Sequence, residues 1–239
     1  MFPELTKPLL IHVPVYSLQT SHSLFSYKIN EPDCPTGRRS FDDELADLAS
    51  LDYFALKMLL ALLTWMDGTL RNAVRSKWYA YGGNIYITEW SKRLCLELYA
   101  ASDIIKAIDA VKQLFLDMHD KWDKIIGNTD VSLARSVINY ECAIERSTPA
   151  GILNQSISNS IHGFANADEY NTWYSTHVAA VKISDMRRVF EKYVLPFTDS
   201  EYSMFRLLLT TSDVDIPAEL GPFEQKTLEE ISATYKADY

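Results

Sequence analysis

Trp78-Tyr-Ala-Tyr-Gly-Gly-Asn-Ile-Tyr-Ile-Thr-Glu-Trp-Ser-Lys-Arg-Leu-Cys-Leu-Glu-Leu98 is the stretch on which the fold turns. In its first half, aromatic and β-branched runs flank Gly82-Gly83-Asn84, which predicts a small β-hairpin over 78–88. In its second half, Thr88 reads as an N-cap, so residues from Glu89 to about Leu98 are expected as helix. Ser102 caps a further helix from Asp103 to about Met118. There Ile104, Ile105, Ile108, Val111, Leu114 and Phe115 recur at helical spacing. The hairpin is thereby expected to stand alone in helical surroundings.

Upstream, Leu51 to Met66 is the most apolar segment. With Asp52 and Lys57 inside it, it is too short and too charged to span a bilayer. It reads as a buried helix closed by Asp67-Gly68, preceded by a short helix capped by Ser40 and followed by a basic one from Thr69 to about Tyr79. Downstream, residues 131–146 read as helix. The Ser-, Asn- and Gly-rich residues 147–167 read as a loop or boundary. Helices follow over 168–180 and 185–194, then from Tyr202 to Leu209 behind the capping box Thr198-Asp-Ser-Glu201, and from Phe223 to Tyr235.

Residues 1–40 have a different texture. Leu9 to Leu18 is interrupted by Pro14, and Ser23 to Ile29 is short and aromatic. Both read as extended segments or edge strands. The expected fold class is therefore mainly α: a multi-helix body with an extended N-terminal arm and one small β-hairpin. The expected divisions are an arm over 1–40, a helical subdomain over 41–146 with the hairpin near 78–88, the boundary at 147–167, and a C-terminal helical subdomain over 168–239.

With 239 residues, 47% hydrophobic and 23% charged, the chain can bury a core without staples. A net charge of −9 works against long-range attraction to nucleic acid or anionic membrane. The charge is uneven, however. Arg71, Arg75, Lys77, Lys92 and Arg93 face only Glu89 between residues 71 and 93, whereas acids dominate from Asp199 onward. Cys34, Cys95 and Cys142 form no CxxC pair, and no secretory signal opens the chain. That predicts reduced thiols in the cytoplasm or nucleus, or within a virion, and no membrane partner.

Motifs for chemistry are sparse. GxSxG and the phosphate-binding GxxxxGK[ST] are absent. Cys34-Pro-Thr-Gly-Arg-Arg-Ser40 puts serine where a phosphatase loop needs arginine. His119 and Asp123 share a helical face beside Asp117 and Asp120, but no second histidine is near, and His162 and His177 lack HExxH spacing. No catalytic residue, metal ligand or cofactor site is expected.

Three functions remain. The leading expectation is a non-enzymatic, self-assembling coat, nucleocapsid-like or scaffold subunit, a homo-oligomer. It would dock through the arm and terminal aromatics (Leu10, Val13, Tyr16, Phe25, Tyr27, Tyr235, Tyr239) and through complementary basic and acidic surfaces. The alternative is single-stranded nucleic-acid binding, for which Arg71, Arg75, Lys77, Trp78, Tyr81, Lys92 and Arg93 mix phosphate-tracking bases with stacking aromatics. The third is an enzyme whose site is assembled from residues distant in sequence.

Overall fold

Six strands hydrogen-bond into one mixed sheet: β1 (Leu9–Pro14), β2 (Ser21–Lys28), β3 (Ala80–Thr88), β4 (Arg93–Ala101), β5 (Phe205–Thr210) and β6 (Glu224–Gln225). Their order across the sheet is β3-β4-β2-β5-β1-β6. β2 runs antiparallel to both β4 and β5, β3 antiparallel to β4, and β1 parallel to β5 and β6. The structure is a computed structural model that describes residues 9–29, 44–65, 68–88, 93–161, 164, 166–202, 204–212 and 214–234.

The helices are α1 (Glu44–Thr64), α2 (Thr69–Arg75), α3 (Ile104–Asp120), α4 (Trp122–Ile125), α5 (Asn128–Glu145), α6 (Pro149–Ile161), α7 (Ala167–Ala180), α8 (Ile183–Val189) and α9 (Leu228–Thr234). A π-helical turn, Phe190–Val194, and a 3-10 turn, Leu195–Thr198, carry the chain from α8 towards β5.

One continuous core lies between sheet and helices. Phe25, Tyr27, Ile85, Leu94, Leu96 and Leu98 meet Phe54 and Leu59 of α1, Val111 and Phe115 of α3, and Met186 and Phe190 at the end of α8. Burying one such side chain contributes roughly 1.5–3 kcal/mol. α7 closes the far side of α1, with the Trp173 and Tyr174 rings each 5.0 Å edge-on from Phe54. Arg135 of α5 ends α7 by donating to the carbonyls of Val178, Ala179 and Val181. Residues Leu51–Arg75 are long and apolar enough by composition to cross a membrane, but 69% of that window is buried inside this fold.

The mainly-α expectation is overturned: the protein is mixed α/β around a six-stranded sheet. Two stretches account for most of the error. Residues 93–101 are strand, because Leu94, Leu96 and Leu98 alternate with Cys95, Glu97 and Tyr99 at period two. Residues 205–210 are also strand. Asp199 accepts from the backbone N–H of Glu201 in a local turn instead of starting a helix. The N-terminal segments are extended as expected but form no arm. β2 lies between β4 and β5, and β1 between β5 and β6. Gly82 and Gly83 sit inside β3 and are not its turn. They are needed for close approach: a Cβ on Gly83 would lie 2.8 Å from the Leu98 side chain, and one on Gly82 2.5 Å from the Tyr99 hydroxyl. The helices expected at 103–118, 131–146 and 168–180 are present as α3, α5 and α7, and residues 149–161 of the expected loop are helical.

Candidate polypeptide-binding face

Strand register sorts the sheet side chains into two sets. Ser23, Phe25 and Tyr27 share a face with Leu98, Leu96 and Leu94, with Gly83 and Ile85, and with Leu208 and Arg206. This is the face the helices cover. On the other face lie Leu24, Ser26 and Lys28, then Glu97, Cys95 and Arg93, then Asn84, Tyr86 and Thr88, then Phe205, Leu207 and Leu209.

None of these second-face residues joins the helix-packed core. Leu24, Phe205, Leu207, Leu209 and Tyr86 are half-buried there. A solvated face of an antiparallel sheet normally alternates to polar residues; along β5 and at Leu24 this face does not, and Ser26 and Cys95 on it are buried, as are Ile11 and Val13 in register with Leu207 and Leu209.

The polar groups on this face are held in place. Arg93 donates from Nη2 to the Ser26 carbonyl at 2.8 Å and from Nε to the Ser26 hydroxyl at 3.1 Å, and partial burial lowers its pKa. Burial raises the Cys95 pKa, which favours the neutral thiol.

The β3 edge of the sheet carries a cationic and aromatic cluster. Among the described residues no strand pairs with the outer side of β3. The Arg71 and Arg75 guanidiniums lie 5.9 and 5.1 Å from the Tyr81 ring centre, within cation–π range, and the Tyr99 ring lies 6.1 Å from it. Trp78 is 85% exposed and takes a left-handed backbone, φ 59°. The turn that presents it is pinned. Ser102 Oγ donates to the Trp78 carbonyl at 2.7 Å, and the backbone N–H groups of Ser102 and Asp103 donate to the Tyr79 carbonyl.

The structure thus gathers Arg71, Arg75, Trp78 and Tyr81 at one edge, with exposed Lys77 in the same turn. Arg93 does not join them, being bound to Ser26; Lys92 lies outside the described residues. Of the expected docking residues, Leu10, Val13, Phe25 and Tyr27 are buried, so they stabilise this subunit and cannot reach a neighbour as an arm. Tyr16 is 70% exposed, and Tyr235 and Tyr239 lie outside the described residues. Leu24, Phe205, Leu207 and Leu209 were not singled out by sequence reasoning. Period-two alternation through 205–210 is invisible when both faces are apolar.

Among the described residues the histidines do not converge. His12 is buried and bonds Thr210 Oγ1 at 2.8 Å, His177 donates from Nδ1 to the Trp173 carbonyl at 2.8 Å, and His119 pairs with its neighbour Asp120. Among the described residues no group of three His, Cys, Asp or Glu could hold a metal ion.

No protein-family profile matches the sequence, and no curated protein does either. Solved structures do. The inactive peptidase domain of a putative zinc protease from Bordetella parapertussis is similar at TM-score 0.59 and 12% identity, over 83% of this chain and 95% of that one. A peptidase M16 inactive domain from Pseudomonas fluorescens is similar at TM-score 0.55 and 15% identity, over 91% of this chain and 45% of that one. The first half of the periplasmic protease PqqL from Escherichia coli is similar at TM-score 0.55 and 10% identity, over 86% of this chain and 42% of that one. The chain therefore spans less than half the length of two of these three. Identities this low show a shared fold: the chain is similar to M16-like, inactive-peptidase domains. This likeness overturns the expectation of a coat, nucleocapsid-like or scaffold subunit. One of these neighbours is periplasmic, so the fold carries no intracellular placement.

Proposed function

We propose that the chain is a non-catalytic domain of peptidase-like fold that holds an extended polypeptide against the second face of its sheet. The β3 edge is available to take that polypeptide as an added strand. The observation that carries this reading is the row Leu24, Phe205, Leu207 and Leu209, apolar and half-buried on the face the helical core leaves out. Contiguous apolar surface of this kind marks an interaction site. Arg71, Arg75 and Lys77 at the edge favour a segment with acidic residues.

The non-catalytic part rests on spacing. The five histidines stand at 12, 22, 119, 162 and 177, and none is four positions from another. Both orders of the two-histidine zinc-peptidase helix need that separation, which puts two imidazoles on one helical face. Several similar proteins are about twice as long, so they have room for a further unit. A second unit facing this sheet is the partner the reading implies. The free, buried thiol of Cys95 suits an intracellular setting.

A second reading is favoured by the stacked Arg75, Tyr81 and exposed Trp78: binding of single-stranded nucleic acid at the β3 edge. One experiment separates the two. Fluorescence anisotropy is recorded with a labelled, extended acidic peptide and with a labelled thymidine oligonucleotide of similar length. The expected result is peptide binding that Leu207→Glu weakens tenfold or more. Oligonucleotide binding that falls steeply with salt and weakens in Arg71→Ala, with no peptide binding, replaces it with the second reading. Binding of neither probe refutes both.

A further inference from the structure

Arg206 is the one buried arginine among the described residues, at 3% exposure, and it lies on the helix-covered face of β5. Its Nη1 donates to the Ser200 and Leu220 carbonyls at 3.0 and 2.9 Å, and its Nη2 to the Asp199 carbonyl. Its Nε–H is buried with no partner. Carbonyl oxygens satisfy N–H groups but cancel no formal charge. Burial lowers the guanidinium pKa and the Asp199 carboxylate offsets only part of this; a buried cation compensated in part is still costly in a folded protein.

The side chain lines a cavity of about 20 Å³ between sheet, α3 and the 3-10 turn that precedes β5. That is room for one water-sized particle. The other polar groups lining it are Ser23, Lys112, Thr198, Ser200 and Glu219. Ser23 is buried and Lys112 half-buried, while Glu219 is exposed at the rim. The Asp199 carboxylate accepts from the Glu201 backbone N–H at 2.8 Å. Phe25 stacks 5.5 Å from the guanidinium centre, and Phe115 and Phe197 complete apolar walls.

We infer that this cavity is a binding site for one small monatomic anion of the halide class, held by Arg206 Nε with the Ser23 hydroxyl and Lys112 ammonium beside it. Water fits the space and can accept from Nε–H, but it adds no counter-charge to the partial one that Asp199 supplies. A chloride accepts the same hydrogen bond and cancels the charge. The site is on the opposite face from the polypeptide-binding surface and stands or falls independently of it.

The test uses the full chain at fixed ionic strength, with sodium gluconate replaced stepwise by sodium chloride or sodium bromide. A ligand that binds only the folded state raises the melting temperature with saturation. The expected result is a saturable, halide-specific rise. Its half-saturating concentration should increase several-fold in Ser23→Ala, and the rise should vanish in Arg206→Met. Arg206→Met risks misfolding, so crystals grown in bromide supply a second readout: an anomalous peak within hydrogen-bond distance of Nε. A melting temperature that depends on ionic strength alone, or a cavity without bromide, overturns the proposal and leaves a water site.

Discussion

The two faces of the sheet use nearly the same residues for opposite ends. Leu94, Leu96 and Leu98 point into the helical layer and are at most 4% exposed. Leu24, Leu207 and Leu209 belong to the same sheet and the same residue type, yet lie half-buried outside that core. Composition cannot tell these sets apart; only the register of β2, β4 and β5 does. On the proposed function, the binding surface is written in apolar residues and not in chemistry-bearing motifs.

The sharpest way to break the comparison is to make matched changes on both faces. Leu96→Ala is expected to cost about 2–5 kcal/mol, the range for truncating a buried leucine. Leu207→Glu is expected to cost well under half of that in urea unfolding while removing polypeptide binding. A Leu207→Glu variant as unstable as Leu96→Ala would show that the second face is covered in the folded chain, and the binding reading would fall.

The β3 edge gives the next effect. Gly83→Val forces a side chain against Leu98 and Leu70 from α2. About 1–3 kcal/mol of destabilisation is expected from such overpacking. At Gly82 the obstacle is the tip of the Tyr99 side chain, which can swing, so Gly82→Ala should cost less. Equal losses at both positions would mean that Tyr99 is locked in place and that the edge is more rigid than its exposed aromatics suggest.

Trp78 sharpens the comparison in the opposite direction. Its left-handed backbone costs an L-residue roughly 1–2 kcal/mol, and its side chain, 85% exposed, recovers little by packing. Trp78→Gly is therefore expected to raise the unfolding free energy by up to about 1 kcal/mol, within the backbone cost it relieves, and to weaken binding at the edge. Strain kept at an exposed aromatic is what a contact residue would show. A stabilised variant with unchanged binding of both probes would take Trp78 out of the site.

Part of this was legible in the sequence, and the reason differs element by element. α3 was legible because its apolar positions repeat at helical spacing, but its cap is Asp103 and not Ser102, whose hydroxyl donates to the Trp78 carbonyl instead. β1 and β2 were legible as extended, but their place in the sheet was not, since a proline at residue 14 reads as an edge signal and here simply ends a strand. β4 was misread because Thr88 looked like a cap; its hydroxyl instead donates to the Arg93 carbonyl across the β3–β4 pair. β5 was misread because Leu207, Leu208 and Leu209 carry no alternation when both sides of a strand are apolar. Of the candidate site, the cationic and aromatic edge was visible as a cluster in residues 71–81. The leucine face was not, because it joins β2 and β5, which are some 180 residues apart in sequence.

The smallest expected effect concerns the cap that anchors both the core helix and the turn presenting Trp78. Asp103 accepts from the Lys106 backbone N–H at 3.1 Å and pairs with the Lys106 ammonium at 2.7 Å. Slight burial pushes its carboxyl pKa up, but the Lys106 hydrogen bonds and charge outweigh this and hold it below the usual carboxylate value. The folded pKa is thus lower than the unfolded one. The resulting stability is present above the unfolded pKa and is lost as pH falls through the folded pKa. Asp103→Ala should cost about 1 kcal/mol at neutral pH, as for a lost N-cap. Asp103→Asn keeps an acceptor for the Lys106 N–H, so it should lose less at neutral pH and flatten the acidic limb of stability against pH. Urea midpoints of the three proteins between mildly acidic and strongly acidic pH decide it. An unchanged acidic limb in Asp103→Asn would move that pH dependence to other carboxylates and leave Asp103 as a cap alone.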